Sequence, residues 1–184
     1  MSQLRHPGAF ETGFDVVARL VAEPAVAMVA AESGDGGVTV SDREGEGTIS
    51  WNEGRIRYEP GSGDPLRIGA GAEGTDREWL TRTWDSAMPD AAFQLLDQFR
   101  ASRTGDLVVM GREGYDFRER FEIPEHRSGH GSLIRAHMHT PLWSNRRITD
   151  TKLRTIDLFP TMLTWMGTAV PEGIDGEHVW EVGR

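Results

Sequence analysis

Cysteine is absent from this 184-residue chain, and lysine is nearly so, with Lys152 standing alone. Without cysteine there are no disulfides, no thiolate nucleophile and no sulfur-ligated zinc, so any metal must be held by histidine and carboxylate. Long apolar runs are missing too. Val16 to Ala31 comes nearest, but Arg19, Glu23 and Pro24 interrupt it well short of the ~20 residues a membrane span requires. The first residues, Met1 to His6, hold no signal-peptide core, and the expected location is cytoplasmic. Positive charge is in deficit, with 20 basic against 29 acidic residues and a net charge of -9. No Lys/Arg stripe offsets that balance, which argues against a nucleic-acid backbone as partner.

Glycine, in contrast, is plentiful at 22 residues and clustered. Gly34-Asp35-Gly36-Gly37, Gly45-Glu46-Gly47 and Gly61-Ser62-Gly63 read as turns. Between them lie short strands, Val38 to Val40, Gly47 to Trp51 and Arg55 to Tyr58, which form a small antiparallel meander. Ahead of it, Phe14, Val17, Leu20 and Val21 recur at helical spacing until Pro24, and Ala25 to Ala31 reads as a buried strand. Asp64-Pro65 opens a turn and a loop that runs to about Thr75.

The spacing then predicts helices over Glu78 to Trp84 and Pro89 to Arg100, the second with Pro89 at its first position and Phe93, Leu96 and Phe99 on one face. Asp106 to Gly111 reads as a buried strand. Helix feeding strand is an α/β pattern, and the chain is long enough for one domain with its own core. Leu133 to His137 is expected to form a helical turn and His139 to Trp143 a strand. Asp157 is placed at the start of a last helix, better as an N-cap than as a metal ligand, with Gly167 at its end. Asp175 reads as a turn residue. Trp79, Trp84, Trp143 and Trp165 are expected in core or buried interface.

Chemistry concentrates in one place. His126, His130, His137 and His139 put four of the six histidines within fourteen residues, and His130 stands between Gly129 and Gly131. Glycine on both sides leaves the imidazole little steric cover, as a ligand at the mouth of a site requires. His126 and His130 would share a helix face, and His137 and His139 one side of a strand. Either pair could chelate zinc with carboxylate help. Ser128-Gly129 opposes a helix at the first pair, and a lone His-x-His on a strand is more often structural. Ser128 and Ser132 beside His130 raise a serine-hydrolase reading, which lacks both a Gly-x-Ser-x-Gly elbow and a placed acid.

An ordered series of motifs sharpens this. Ser128-Gly129-His130-Gly131-Ser132 is followed by Met138-His139-Thr140-Pro141-Leu142. Next comes Thr155-Ile156-Asp157-Leu158-Phe159-Pro160-Thr161-Met162-Leu163, then Gly167, Pro171 and Gly173-Ile174-Asp175-Gly176. The series resembles the C-terminal end of the alkaline phosphatase superfamily, in its nucleotide pyrophosphatase/phosphodiesterase and phosphonoacetate-hydrolase-like branch. The resemblance covers about residues 106–177. Residues 14–105, with the meander, resemble more weakly the variable segment before that end.

It implies an α/β fold and places His130 as a metal ligand, with His126 as a neighbour that could support it from behind. It also implies two divalent ions, commonly zinc, and a phosphate- or sulfate-ester substrate. The family's upstream parts do not occur in this sequence: a metal-binding Asp on the first strand with a Thr/Ser nucleophile after it, an Asp-x-x-x-His pair, and Asp-His-Gly.

The chain is therefore expected to be a C-terminal piece of a single domain, inactive alone, with no catalytic residue of its own. A companion N-terminal chain or a homo-oligomer would complete it. Two alternatives remain open: a non-catalytic binding or interaction module retaining the scaffold, and a self-contained His-rich zinc hydrolase.

Overall fold

The computed structural model describes residues 15–69, 72–117, 129–145, 147 and 150–179. The chain divides into two compact units, Met1–His139 and Thr140–Arg184. The division falls inside the stretch 106–177 that the resemblance treats as continuous.

The first unit is built on a sheet of six strands in the order β5-β4-β3-β2-β1-β6, every neighbouring pair antiparallel. The first helix, α1 (Val16–Ala22), starts where the Asp15 carboxylate accepts the Ala18 N–H at 2.9 Å. It stops before Pro24, whose ring cannot continue it. The meander follows as β1 (Val26–Glu32), β2 (Val38–Ser41), β3 (Glu46–Asn52) and β4 (Arg55–Pro60). Glu53 and Gly54 both have positive φ, 49° and 78°, so the β3–β4 hairpin closes in the two-residue form that matches strand twist. A three-residue strand, β5 (Ala72–Gly74), extends the sheet inside the stretch expected to be loop.

Alternation along the strands decides which face is dry. Register places Met28, Ala30, Val40, Val38, Ile49, Tyr58 and Ile56 on one face, all 0–2% exposed. Two helices cover that face, α2 (Asp76–Thr83) and α3 (Ala91–Arg100). α2 opens with a capping box. Thr75 Oγ1 accepts the Glu78 N–H at 3.3 Å, and the Glu78 carboxylate accepts the Thr75 N–H at 2.8 Å. Its Trp79 is fully buried and donates its indole N–H to the Ile56 carbonyl at 2.8 Å, which pins helix to sheet. Asp90, in the left-handed region at φ 59°, flanks α3, so Pro89 lies before the helix and not at its first position. Phe93 and Leu96 are buried as expected, while Phe99 is only partly so.

The loop after β4 is organised by one carboxylate. Asp64 accepts the Tyr58 hydroxyl at 2.9 Å and the Gly69 N–H at 2.7 Å, and the Tyr58 oxygen accepts the Leu66 N–H at 3.4 Å. Burial raises the Tyr58 phenol well above its ordinary range, because the phenolate would lose water with Asp64 alongside.

β6 (Leu107–Gly111) returns beside β1, with Met110 opposite Met28. The mixed helix-and-strand composition is as expected, but α3 and β6 make no parallel crossover, since β6 runs antiparallel to β1. Nor is β6 a fully buried strand: it lies at the sheet edge, and only Met110 is enclosed.

The second unit holds a 3₁₀ turn, Thr155–Asp157, running into α5 (Leu158–Trp165); α4 (Arg135–Met138) belongs to the first unit. Asp157 flanks α5 as expected, but its side chain makes no cap bond to that helix. It is fully buried and accepts the Arg154 N–H at 2.8 Å and the Glu177 N–H at 3.0 Å, closing the exit loop onto the helix start. Thr161 Oγ1 bonds back to the Asp157 carbonyl at 2.6 Å. The Asp-x-x-Pro-Thr series therefore has a local structural task. Gly167, at φ 68°, ends the helix in the left-handed conformation glycine favours. No strand forms over His139 to Trp143, and Trp143 is 90% exposed, against its expected burial. Pro141 breaks the run, and no strand pairs with it.

Among the described residues, no helix is long and apolar enough to cross a membrane.

Candidate functional site

His130 lies on an irregular segment, and it and both flanking glycines are exposed. Gly131 has φ 90°, a conformation side-chain-bearing residues rarely adopt, and the space around Gly129 and Gly131 is open to 4 Å. The backbone thus turns sharply just after the imidazole, and His130 is exposed among the described residues. An accessible donor on such a turn meets the first requirement for a ligand.

The residues that follow are well anchored. Leu133 N–H meets Met110 Sδ at 3.3 Å. Arg135 N–H bonds to the Ala87 carbonyl at 3.0 Å, and its guanidinium to the Asp85 carboxylate at 3.0 Å. These contacts hold α4 (Arg135–Met138), a single turn, against the end of β6 and the link between α2 and α3. The expected helical turn at Leu133 to His137 is present, starting two residues later and ending one later.

The histidines do not converge. His137 Nδ1 pairs with Ser132 Oγ at 2.8 Å, and that hydroxyl also accepts the Ile134 N–H at 3.4 Å. His139 stacks on Trp84 with ring centroids 4.4 Å apart and an interplanar angle of 29°. Its Nε2 is buried without a hydrogen-bond partner among the described residues. The helical turn ends at Met138 and His139 leaves it extended, so the two rings face different partners, Ser132 and Trp84, and no His-x-His chelate forms. His126 and Ser128 lie outside the described residues.

Among the described residues, no group of three or more His, Asp or Glu side chains is placed to hold a metal ion. These residues therefore do not fit a complete two-metal centre. Among the described residues the serine-hydrolase geometry is not formed either: Ser132 pairs with His137 rather than His130, and no carboxylate of these residues bonds to His137. That pair was not anticipated. Its signal was a serine two residues before the turn that starts α4, where a hydroxyl commonly takes up a free N–H.

No protein-family model matches the chain, and no curated protein or solved structure is significantly similar to it.

Proposed function

We propose that this chain is the C-terminal part of an alkaline-phosphatase-like phosphodiesterase or phosphohydrolase, to which it contributes His130 as one metal donor. The observation that carries the reading is the exposed, glycine-flanked His130 on a sharp turn, with no group of three or more His, Asp or Glu placed to hold a metal among the described residues. The order of the motifs from Ser128 to Gly176 agrees with it. A divalent ion held there, zinc by the chemistry of an imidazole and carboxylate shell, would polarise the phosphoryl oxygen of a phosphate ester. The role of this chain is narrower. It fixes the His130 loop through α4 and β6, and it supplies no nucleophile. The other donors would come from a companion polypeptide or from a second copy of the chain.

The test is hydrolysis of bis(4-nitrophenyl) phosphate with zinc. The purified chain is assayed alone and with a polypeptide carrying the missing metal-binding Asp, Thr/Ser and Asp-His-Gly elements. The chain alone is expected to be inert, the mixture active, and His130→Ala to lower the mixture's turnover roughly 100-fold or more while the chain stays folded. Full turnover with His130→Ala, or hydrolysis by the chain alone, refutes the assignment.

A second reading, a non-catalytic binding module, is favoured by the first unit's self-contained core, in which Trp79, Tyr58, Ile49 and Ile56 are fully buried by residues of that unit. It gains if no such mixture shows activity.

A further inference from the structure

Where β1 begins and β6 ends, the first unit carries a cavity of about 530 Å³. That is the size range of small-molecule sites, roughly 300–1,000 Å³. Its lining has two parts. Met88, Met110, Ile134 and Ala27 supply an apolar wall, and Arg43, Arg67, Arg112 and Arg135 come to it from four separate segments. The chain as a whole is acidic, yet here four guanidinium groups stand against three carboxylates, Asp42, Glu44 and Glu113.

The charges are not equally free. Arg43 is oriented by the carbonyls of Val21 and Ala22, at 3.1 and 2.7 Å, and Arg135 by Asp85. Each is thus held in place and keeps further N–H donors. The guanidinium groups of Arg67 and Arg112 make no hydrogen bond or ion pair among the described residues, although both backbones are bonded. On the acidic side, the Asp42 carboxylate is committed to its own turn, where it accepts the Glu44 and Gly45 N–H groups at 2.8 and 3.0 Å. Two oriented and two unengaged arginines beside a methionine-lined wall match a ligand with one forked oxyanion and one apolar end.

We propose that this cavity binds a small organic oxyanion, a carboxylate or phosphate monoester on an apolar body, with Arg67 and Arg112 gripping the anion and Met88 and Met110 packing the rest. The site is separate from His130 and needs no metal.

The probe is phenyl phosphate, titrated into the full chain in the presence of EDTA and followed by calorimetry and by backbone amide shifts. Saturable binding is expected, with shifts concentrated at Met110–Glu113 and Ile134–Ala136. Inorganic phosphate and benzyl alcohol, each lacking one half of the ligand, should bind about tenfold more weakly or worse. Arg67→Gln and Arg112→Gln alter exposed side chains, so folding should survive, while phenyl phosphate affinity falls roughly tenfold for each. Glu113→Gln removes a like charge and should tighten binding severalfold. The proposal is overturned if phenyl phosphate does not saturate at millimolar concentration or if both arginine variants bind it as the parent does. It also fails if Glu113→Gln weakens binding, which would mark the site as one for a cationic group. Because EDTA removes metal, any of these failures leaves the His130 assignment untouched.

Discussion

Replacing Trp79 by phenylalanine isolates the link between helix and sheet. The indole is 0% exposed, and its N–H reaches the Ile56 carbonyl at 2.8 Å. Phenylalanine keeps an aromatic ring in the core but deletes the donor, at a net cost of about 1 kcal/mol, rising toward ~3 if the carbonyl is left dry. The smaller ring also leaves a void, which adds about 1 kcal/mol where α2 cannot settle onto β4. The expected loss is about 2–4 kcal/mol, or roughly 4–16 °C in the melting midpoint of a chain this size. Thermal denaturation followed by far-UV circular dichroism measures it. Trp143→Phe is the internal control, because that ring is 90% exposed and its replacement should shift the midpoint by less than ~1 °C. Equal midpoints for Trp79→Phe and the parent would refute the claim that the indole joins α2 to the sheet. A loss in the Trp143 variant equal to that of Trp79→Phe would refute the exposure argument.

Three more outcomes can be checked. Tyr58 is buried, so its phenol ionises in the unfolded chain before it does in the folded one, and the unfolded state then binds fewer protons. Stability should hold below pH ~10 and fall above it by up to about 1.4 kcal/mol per pH unit, and urea midpoints for Tyr58→Phe should decline less steeply over that range. At Gly47, an added Cβ would come within 2.7 Å of the Tyr58 ring, so Gly47→Ala should destabilise by about 1–3 kcal/mol in urea, whereas Gly34→Ala, with nothing within 4 Å, should cost far less. Asp157→Ala removes the acceptor of the buried Arg154 N–H, at about 1–3 kcal/mol, and that of the part-buried Glu177 N–H, at less because water can reach it. Amide exchange at Glu177 should accelerate markedly in that variant, and an unchanged rate would show that the carboxylate does not close the loop.

The meander was legible because its signals are local. Glycine clusters mark the hairpins, alternation marks the strands, and Pro24 ends α1, so β1 to β4 fall within one or two residues of their expected places. β5 was not legible: Ala72-Glu73-Gly74 has no apolar alternation and exists because Tyr58, Arg57 and Ile56 of β4 offer it backbone partners. His139 to Trp143 misled because a short run ending in Leu142-Trp143 resembles a strand in composition, yet Pro141 lies within it and no neighbour pairs with it. The singularity of His130 was legible from its two glycines. That His137 would turn to Ser132 and His139 to Trp84 was not, since both depend on a helical turn and on a ring from α2's far end.

Sequence alone thus settled the hairpin register, the helix ends marked by Pro24 and Gly167, and the exclusion of every thiolate chemistry, since each rests on residues adjacent in the chain. Tertiary structure decided what depends on distant segments meeting. It set β6 antiparallel to β1 at the sheet edge, turned His137 and His139 to different partners, and brought four arginines from separate segments around one cavity. The physical reason is that backbone propensity acts over a few residues, whereas burial and charge are settled only when strands tens of residues apart come into contact.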